Sequence, residues 1–261
     1  MTQYLTSGRP NVLVIAGYDQ SGGAGVLADI KTLEAHGVYG YAVCTCLTFQ
    51  NERVITGLRW CTEQEIFEQI DLCFQSARFD WVRIGICRSV AMIGSILRHL
   101  REHNPDVKVV LDPVIRASSG RDFWEGIDRE GFEDLVRQTY LLTPNWEEIG
   151  WLYPEREVQD CCRSLSLSTG CNFFLKGGHN PEMPGRDYLW SNGVVQVLEP
   201  ALDEGTVFPK HGSGCVLASS LTAYLSLGYP LPLAAERAKL YIGKFLTSNK
   251  TLLGWHQSLE H

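Results

Sequence analysis

Several signatures that would assign a protein to a class are missing from this chain of 261 residues. None of its nine cysteines is spaced as CxxC, which argues against a zinc site, and the odd number argues against a disulfide scaffold. The 23 basic residues are outnumbered by 30 acidic ones, so the basic surplus of nucleic-acid-binding proteins is absent. No apolar run is long enough to span a membrane, and no signal peptide is recognisable. We therefore expect a cytoplasmic globular protein that binds neither nucleic acid nor membrane.

Two common nucleotide-binding motifs are also absent. The glycine-rich segment Gly17–Gly25 follows an apolar run but lacks the GxGxxG pattern of dinucleotide-binding proteins, and no GxxxxGK[ST] P-loop occurs. The chain has no internal repeat, low-complexity tract or linker that would mark a domain boundary. We therefore predict a single domain over residues 1–258. The last three residues, Leu259–His261, resemble the start of a C-terminal affinity tag and are left out of that domain.

Segments with strand-like and helix-like apolar patterns alternate along most of the chain. Residues 11–17 (NVLVIAG) form a continuous apolar run, which is typical of a strand buried on both faces. Further strands are predicted at 41–49, 81–86, 107–112, 140–143 and 172–176, and a hairpin at 187–198. Helices are predicted after Gly25 and at 63–76, 90–103, 123–138, 145–152, 214–227 and 233–248. This alternation predicts an α/β fold with a mostly parallel sheet, in which ligands bind beyond the carboxyl ends of the strands.

The strongest local signal is the segment KHGSGC, residues 210–215, which opens a predicted helix. Gly212 and Gly214 would let the backbone approach a ligand closely. The first free N–H groups of the helix, at the positive end of its dipole, would then face an anion such as phosphate. Taken alone, the pattern fits a phosphate site and a plain glycine-rich helix start equally well.

Cys215 lies in the first turn of that predicted helix. Such a position lowers the pKa of a thiol, because the helix N-terminus favours the thiolate. The cysteine is therefore a candidate base for a substrate hydroxyl. The alternative is a small buried apolar residue.

Polar residues follow three other predicted strands. Lys176 precedes two glycines at the end of a strand, where it could meet phosphate oxygens. Asp112 ends another apolar strand, and Asn145 and Glu148 follow the next one. The hard oxygen atoms of Asp112 and Glu148 could hold a hydrated Mg²⁺, and Asn145 could orient it. Asn145 and Glu148 also have the spacing of a helix capping box, and both roles can hold together.

The first glycine-rich segment, Gly17–Gly25, suggests a wall of small residues around a flat ring. Asp29 and Gln50 offer polar groups nearby in the predicted fold. The amide of Gln50 both donates and accepts, so it could form paired hydrogen bonds with the edge of an aminopyrimidine.

Together these segments resemble one family, the bacterial hydroxymethylpyrimidine and phosphohydroxymethylpyrimidine kinases of thiamine biosynthesis. The matching motifs occur in the family's order between about residues 11 and 248. They are IAGYDQSGGAGVLADIKT at 15–32, Leu47–Asn51, Arg83–Gly85, Leu111–Val114, Thr143–Asn145 with Glu148, Lys176–His179 and His211–Cys215.

The resemblance implies a ribokinase-like fold, which is a three-layer α/β/α domain. It also implies an ATP-dependent kinase that uses Mg²⁺. The acceptor would be the hydroxymethyl group of 4-amino-5-hydroxymethyl-2-methylpyrimidine, and its monophosphate would be a second substrate. Members of the family are often dimers, so a homodimer is implied as well.

The resemblance further implies roles for residues at matching positions. The pyrimidine pocket would be lined by Gly17, Ala24, Asp29, Gln50, Ile86 and Val114. The catalytic group would be the anion hole Gly212, Ser213 and Gly214, the phosphate-binding Lys176, and Cys215, which stands where related sugar kinases carry an aspartate base. The nucleotide would be bound by Asn145, Glu148, Lys176 and Gly177, and the magnesium ion by Asp112 and Glu148.

The chain departs from the family pattern mainly where the acceptor would bind. The departures are Tyr18 for threonine, Gln20 for proline, Glu52 for threonine, Ile86 for methionine, Arg116 for a small or apolar residue and Val216 for threonine. Two alternatives therefore stay open. One is a pyridoxal or pyridoxine kinase of the same fold, whose substrate is also a flat nitrogen heterocycle with a hydroxymethyl group. The other is a catalytically silent ligand-binding protein that kept the fold.

Overall fold

The computed structural model describes residues 8–116, 120, 122–124, 126, 128–200 and 206–258. Within these ranges one sheet contains the strands β1 Asn11–Tyr18, β2 Tyr39–Gln50, β3 Ile55–Trp60, β4 Trp81–Ile84, β5 Lys108–Leu111, β6 Leu141–Leu142, β7 Asn172–Leu175, β8 Asp187–Ser191 and β9 Val194–Leu198. The helices are α1 Gly25–Ala35, α2 Glu63–Ser76, α3 Val90–His103, α4 Arg129–Arg137, α5 Trp146–Leu152, α6 Val158–Thr169, α7 Ser213–Ser226 and α8 Leu231–Thr247.

The strand order in the sheet is β3-β2-β1-β4-β5-β6-β7-β8-β9. The strands from β2 to β7 in this order pair in parallel, and β3, β8 and β9 pair antiparallel at the two edges. The mostly parallel sheet predicted from the sequence is thus confirmed. Strand β1 has β2 on one side and β4 on the other, so the strand order reverses there. A reversal of this kind opens a crevice beyond the carboxyl ends of the strands.

Helices cover both faces of the sheet. Leu13 of β1 packs in one core with Ile66 of α2 and Ile93 of α3, whereas its neighbour Val14 packs in another core with Leu33 of α1. Side chains alternate between the faces of a strand, so β1 serves two cores and must be apolar throughout. Helices α2 to α6 lie on the first face, and α1, α7 and α8 lie on the second. The predicted three-layer α/β/α architecture is confirmed.

The helix predicted over 123–138 is shorter in the structure. Helix α4 begins at Arg129, because the side chain of Asp128 accepts a hydrogen bond from the N–H of Gly131 at 2.9 Å and caps the helix there. Phe123 and Trp124 are buried but not helical. Part of the predicted helix, residues 125 and 127, falls outside the described residues.

Two elements were not predicted from the sequence. Strand β3 follows a turn in which the side chain of Asn51 accepts hydrogen bonds from the N–H groups of Arg53 and Val54. It lies at the sheet edge, and its half-exposed residues lack a clear apolar pattern. Helix α6 has no side-chain cap at its start. Its buried residues include Cys161, Cys162 and Leu165, so its apolar face gives only a weak pattern in the sequence.

The hairpin predicted over 187–198 is confirmed. Strands β8 and β9 pair antiparallel, and the two connecting residues, Asn192 and Gly193, have φ values of 53° and 77°. Positive φ at both positions is typical of the two-residue turns that join such strands. Across the part of the chain that the structure describes, no helix has the length and apolar character needed to cross a membrane. The predicted tag remnant at 259–261 lies outside the described residues.

Candidate active site

A cavity of about 650 Å³ opens beyond the carboxyl ends of the parallel strands, at the crevice beside β1. We call two parts of its lining the phosphate end and the acceptor end. The phosphate end consists of Asp112, Asn145, Glu148, Lys176, Gly212, Ser213, Gly214 and Cys215. The acceptor end consists of Gly17, Ala24, Gln50, Ile86 and Val114. The fold therefore brings together all the predicted site residues except Asp29 and Gly177.

Helix α7 starts at the phosphate end without a side-chain cap. Its N-cap is Gly212, with a φ of 74°, and a Cβ there would lie 2.0 Å from the carbonyl oxygen of Gly23. Only glycine therefore allows the helix to begin so close to the first glycine-rich loop. A Cβ on Gly214 would lie 3.4 Å from Nζ of Lys176. The free N–H groups of this helix start and the lysine thus face the same space, which suits an anion.

Lys176 follows β7 and is the cation of the phosphate end. Its Nζ donates to Oδ1 of Asp112 at 2.6 Å and lies 3.8 Å from Oε2 of Glu148. Burial opposes the charge on the amine, but Asp112 and Glu148 outweigh that effect and raise the pKa of Lys176. The lysine is therefore held in the charged form that binds phosphate oxygens.

Arg83 of β4 is fully buried beneath the cavity and joins two carboxylates. It donates to Oδ2 of Asp112 at 3.0 Å and to Oδ2 of Asp29 at 2.9 Å. The other oxygen of Asp29 accepts from the hydroxyl of Ser219 on α7 at 2.7 Å. Burial raises the pKa of Asp29 to about 6, although the charge of Arg83 acts in the opposite direction.

The prediction that Asp29 lines the pyrimidine pocket is thus wrong. Its side chain is fully buried between α1, β4 and α7 and does not line the cavity. Its contacts make it the buried counter-ion of Arg83. The sequence could not reveal this role, because Asp29 and Arg83 are far apart in the chain.

Gly177 also does not line the cavity, and the neighbouring Gly178 does. The N–H of Gly177 donates to Oδ1 of Asp187 at 2.5 Å, and a Cβ there would lie 1.7 Å from the carbonyl oxygen of Arg186. That Gly177 binds the nucleotide stays a prediction. The residue lets the chain after β7 pack against the start of β8.

Asn145 and Glu148 form the capping box of α5. Glu148 N–H donates to Oδ1 of Asn145 at 2.8 Å, and Asn145 N–H donates to Oε2 of Glu148 at 2.7 Å. Burial raises the pKa of Glu148 to about 7; Lys176 opposes this shift and Asp112 adds to it. The capping interpretation is confirmed. The carboxyl of Glu148 also lines the cavity, where the positive charge of Lys176 does not outweigh the effect of burial.

Cys215 departs from its predicted ionisation. Burial raises the pKa of its thiol, although Arg83 opposes the shift and a hydrogen bond from the N–H of Gly25 also lowers it. The prediction of a lowered pKa is therefore wrong. Desolvation outweighs the charge of Arg83 and the hydrogen bond from Gly25, so the thiol is neutral near pH 7.

Asp19 and His211 connect two loops, and the sequence did not predict their roles. Buried Asp19 accepts from the N–H groups of Ser21 and Ala24 at 2.9 and 3.0 Å, and Nε2 of His211 lies 2.8 Å from its Oδ2. One carboxylate thereby fixes the first glycine-rich loop and the turn before α7. An aspartate before Ser-Gly-Gly signals a local turn. Its partner 192 residues away leaves no such signal.

The acceptor end contains fewer charges. Gln50 is half-buried at the end of β2, Ile86 follows β4, and Val114 follows β5. A Cβ on Gly17 would lie 2.8 Å from Cγ2 of Ile86, so the backbone there borders the isoleucine directly. The arrangement suits a flat ring with polar groups at one edge.

Comparison with known proteins identifies relatives over most of the chain. The family model described as phosphomethylpyrimidine kinase matches residues 19–259. The hydroxymethylpyrimidine/phosphomethylpyrimidine kinase of Escherichia coli (strain K12) is 31% identical over 253 residues, which cover 94% of this chain and 93% of the relative. The thiamine biosynthesis bifunctional protein ThiED of Geobacter sulfurreducens is 34% identical over 264 residues, covering 97% of this chain and 52% of the relative. The chain therefore spans about half the length of that bifunctional relative.

Solved structures share the fold. The phosphomethylpyrimidine kinase (thiD) from Clostridium difficile 630 superposes with a TM-score of 0.74 and 31% identity, covering 90% of this chain and 99% of that one. The pyridoxal kinase from Staphylococcus aureus in complex with ADP has a TM-score of 0.80 but only 20% identity, covering 96% of this chain and 94% of that one. At such low identity the second likeness shows the fold alone.

Proposed function

The chain belongs to the phosphomethylpyrimidine kinase family, and on that premise we propose that it transfers the γ-phosphate of ATP to the hydroxymethyl group of a hydroxymethylpyrimidine. The observation that carries the proposal is one cavity with two unlike ends. The phosphate end offers Lys176 and the uncapped start of α7. The acceptor end offers Gln50 and the apolar Ile86 and Val114.

The phosphate end would stabilise charge during transfer. The oxygen of the acceptor hydroxyl attacks the γ-phosphorus, the bond to the bridging oxygen breaks, ADP leaves, and the hydroxyl proton is released. The γ-phosphoryl oxygens would lie between Lys176 and the N–H groups of Ser213 and Gly214. Such fixed donors stabilise the transition state without having to reorganise.

Cys215 would act as a neutral thiol that positions the hydroxyl. Its raised pKa leaves little thiolate near neutral pH. A loose transition state needs little deprotonation of the nucleophile at an early stage. Position, rather than basicity, is therefore the contribution that we assign to this residue.

Magnesium is implied by the family, and the residues fit it in part. Glu148 supplies a buried carboxylate whose pKa is raised to about 7 by burial first and by Asp112 in addition, so a cation would favour its ionised form. Asp112, in contrast, accepts from Lys176 through Oδ1 and from Arg83 through Oδ2. We therefore assign magnesium to Glu148, with Asp112 as the anchor of Lys176. When bound, the ion would neutralise the phosphates of ATP.

The finer parts of the proposal concern substrate range and assembly. A second transfer to the monophosphate and a homodimer are implied by the resemblance, and a cytoplasmic location is expected from the composition. Arg116 and His179 also line the cavity, and their side chains could donate hydrogen bonds to the phosphate of the monophosphate. Light scattering of the purified chain tests the dimer.

The first experiment measures ADP release with Mg²⁺-ATP and four acceptors in parallel: hydroxymethylpyrimidine, its monophosphate, pyridoxal and pyridoxine. We expect turnover with the first two. Turnover with pyridoxal and pyridoxine alone would show that the acceptor is a pyridine alcohol, and the proposed mechanism would stay the same. Ligand-induced thermal stabilisation without ADP release would instead support a silent binding protein.

A further inference from the structure

A second cluster of polar side chains lies between α2 and α3, away from the cavity. Asp71 of α2 faces His99 and His103 of α3, and its Oδ1 lies 2.7 Å from Nε2 of each imidazole. One ligand atom from each of the three residues falls within 4.8 Å of the others. The two histidines are one helical turn apart and therefore project from the same face of α3.

Aromatic packing fixes both imidazole rings. The ring of His99 stacks on Phe67 with centroids 4.2 Å apart and an angle of 13°, and that of His103 stacks on Phe74 at 4.6 Å and 9°. The rings are thus held with both Nε2 atoms turned toward one carboxylate oxygen. A site held in this way loses little conformational entropy when it binds a ligand.

We propose that Asp71, His99 and His103 form a binding site for a divalent transition metal ion of the zinc class. Two imidazole nitrogens from positions i and i+4 and one carboxylate oxygen are a ligand set that zinc proteins use. Nitrogen ligands favour Zn²⁺, Ni²⁺ or Cu²⁺ over Mg²⁺, which prefers oxygen. Water would complete the coordination, because the site is open to solvent.

A carboxylate behind the first ligands supports the assignment. Oε2 of Glu102 lies 3.3 Å from Nδ1 of His99, the nitrogen that does not face Asp71. Metal-bound histidines commonly donate this second N–H to a carboxylate, which fixes the tautomer.

The site is remote from phosphoryl transfer. Helix α3 starts beyond the carboxyl end of β4 and runs back, so His99 and His103 in its last turns lie toward the amino ends of the strands. Asp71 lies in the last turns of α2, which leads into the amino end of β4. A metal ion there would tie α2 to α3 and stabilise the fold without entering the cavity.

The test is calorimetric titration of the chelator-treated chain, without an added histidine tag, with ZnCl₂ alone. We expect one tight site, and Asp71→Asn or His103→Gln should weaken it at least about tenfold. Glu102→Gln should weaken it less. Glu68→Gln is the matched control, because it removes the same charge from an exposed position of α2.

Cysteines are the main competing ligands, and Co²⁺ distinguishes them. Coordination by histidine and carboxylate should give visible d–d bands without a thiolate charge-transfer band. A thiolate charge-transfer band would overturn the proposal. A zinc affinity that is unchanged in Asp71→Asn and His103→Gln would also overturn it. Circular dichroism and kinase turnover of both variants should match those of the parent chain, which separates loss of the site from loss of the fold.

Discussion

The two ends of the cavity are built differently. At the phosphate end, Lys176 and Glu148 belong to a network of buried charges that continues through Asp112 to Arg83. At the acceptor end, Gln50 and Ile86 carry no charge, and Ile86 lies directly against the backbone of Gly17. Fixed charge suits phosphoryl transfer, whereas a neutral surface of defined shape suits the choice of acceptor. The two ends should therefore respond differently to substitution.

The largest effect is expected from Arg83→Met, which breaks the network that supports the phosphate end. It leaves Asp29 and Asp112 buried without their shared cation, and removing one partner of a buried ion pair costs about 3–5 kcal/mol. Urea unfolding measures the loss. Arg53→Met is the control, because Arg53 is exposed and lies 3.5 Å from Glu52 in a surface pair that should contribute at most about 1 kcal/mol. Equal losses in both variants would contradict a structural role for the network.

Gly214→Val should have the next largest effect, which is a lower kcat. The side chain would enter the space between the start of α7 and Nζ of Lys176, where even a Cβ approaches to 3.4 Å. Loss of a fixed donor at such a site lowers kcat about 10²–10³-fold. Steady-state kinetics should show this fall with a smaller change in KM for ATP. Gly150→Val is the control, since nothing lies within 4 Å of a Cβ there; an unchanged kcat in Gly214→Val would remove the anion hole from the mechanism.

Gln50→Ala probes the acceptor end and should alter selectivity rather than the transfer step. Each hydrogen bond to the ring contributes about 1 kcal/mol or more. Loss of one or two of them should lower kcat/KM for the pyrimidine about 10–100-fold. KM for ATP should not change. Gln64→Ala, at an exposed position of α2, is the matched control. If kcat/KM fell by the same factor for ATP and for the acceptor, the two ends would not act separately.

The same division explains what the sequence could reveal. The grouping of Lys176, Glu148 and the segment Gly212–Cys215 in one cavity was predictable because each stands where a strand ends or a helix begins, and such positions meet at one edge of a parallel sheet. Asp29 was misassigned because its position near the start of α1 does not show that it points inward to Arg83. Helix α6 and strand β3 were missed because their apolar patterns are weak. Contacts between distant segments, rather than local pattern, decided these cases.

A smaller effect concerns pH and Glu148. Its folded pKa of about 7 exceeds the ordinary 4.5, so the folded chain keeps a proton that the unfolded chain has released. Its contribution to stability is therefore present below the ordinary value and is lost as pH rises through about 7. Relative to Glu148→Gln, the parent chain should lose on the order of 1–3 kcal/mol of unfolding free energy between these values. Glu130→Gln, at an exposed position of α4, should keep the parent profile, and identical slopes in all three chains would contradict the raised pKa.

The smallest effect is expected from Cys215→Ser. Burial raises the pKa of the thiol, so a thiolate base contributes little near pH 7, and a serine hydroxyl can take the same position beside the acceptor. We expect kcat to stay within about tenfold of the parent value, which is less than the roughly 10²–10⁴-fold that a general base contributes. Its pH profile should keep the same shape, because no ionising group in the rate-limiting step has been removed. A much larger fall, together with the loss of an alkaline limb in the pH profile, would show that the thiolate is the base. Catalysis would then depend on the small fraction of Cys215 that is ionised. The positive charges of the phosphate end would in that case also stabilise the thiolate.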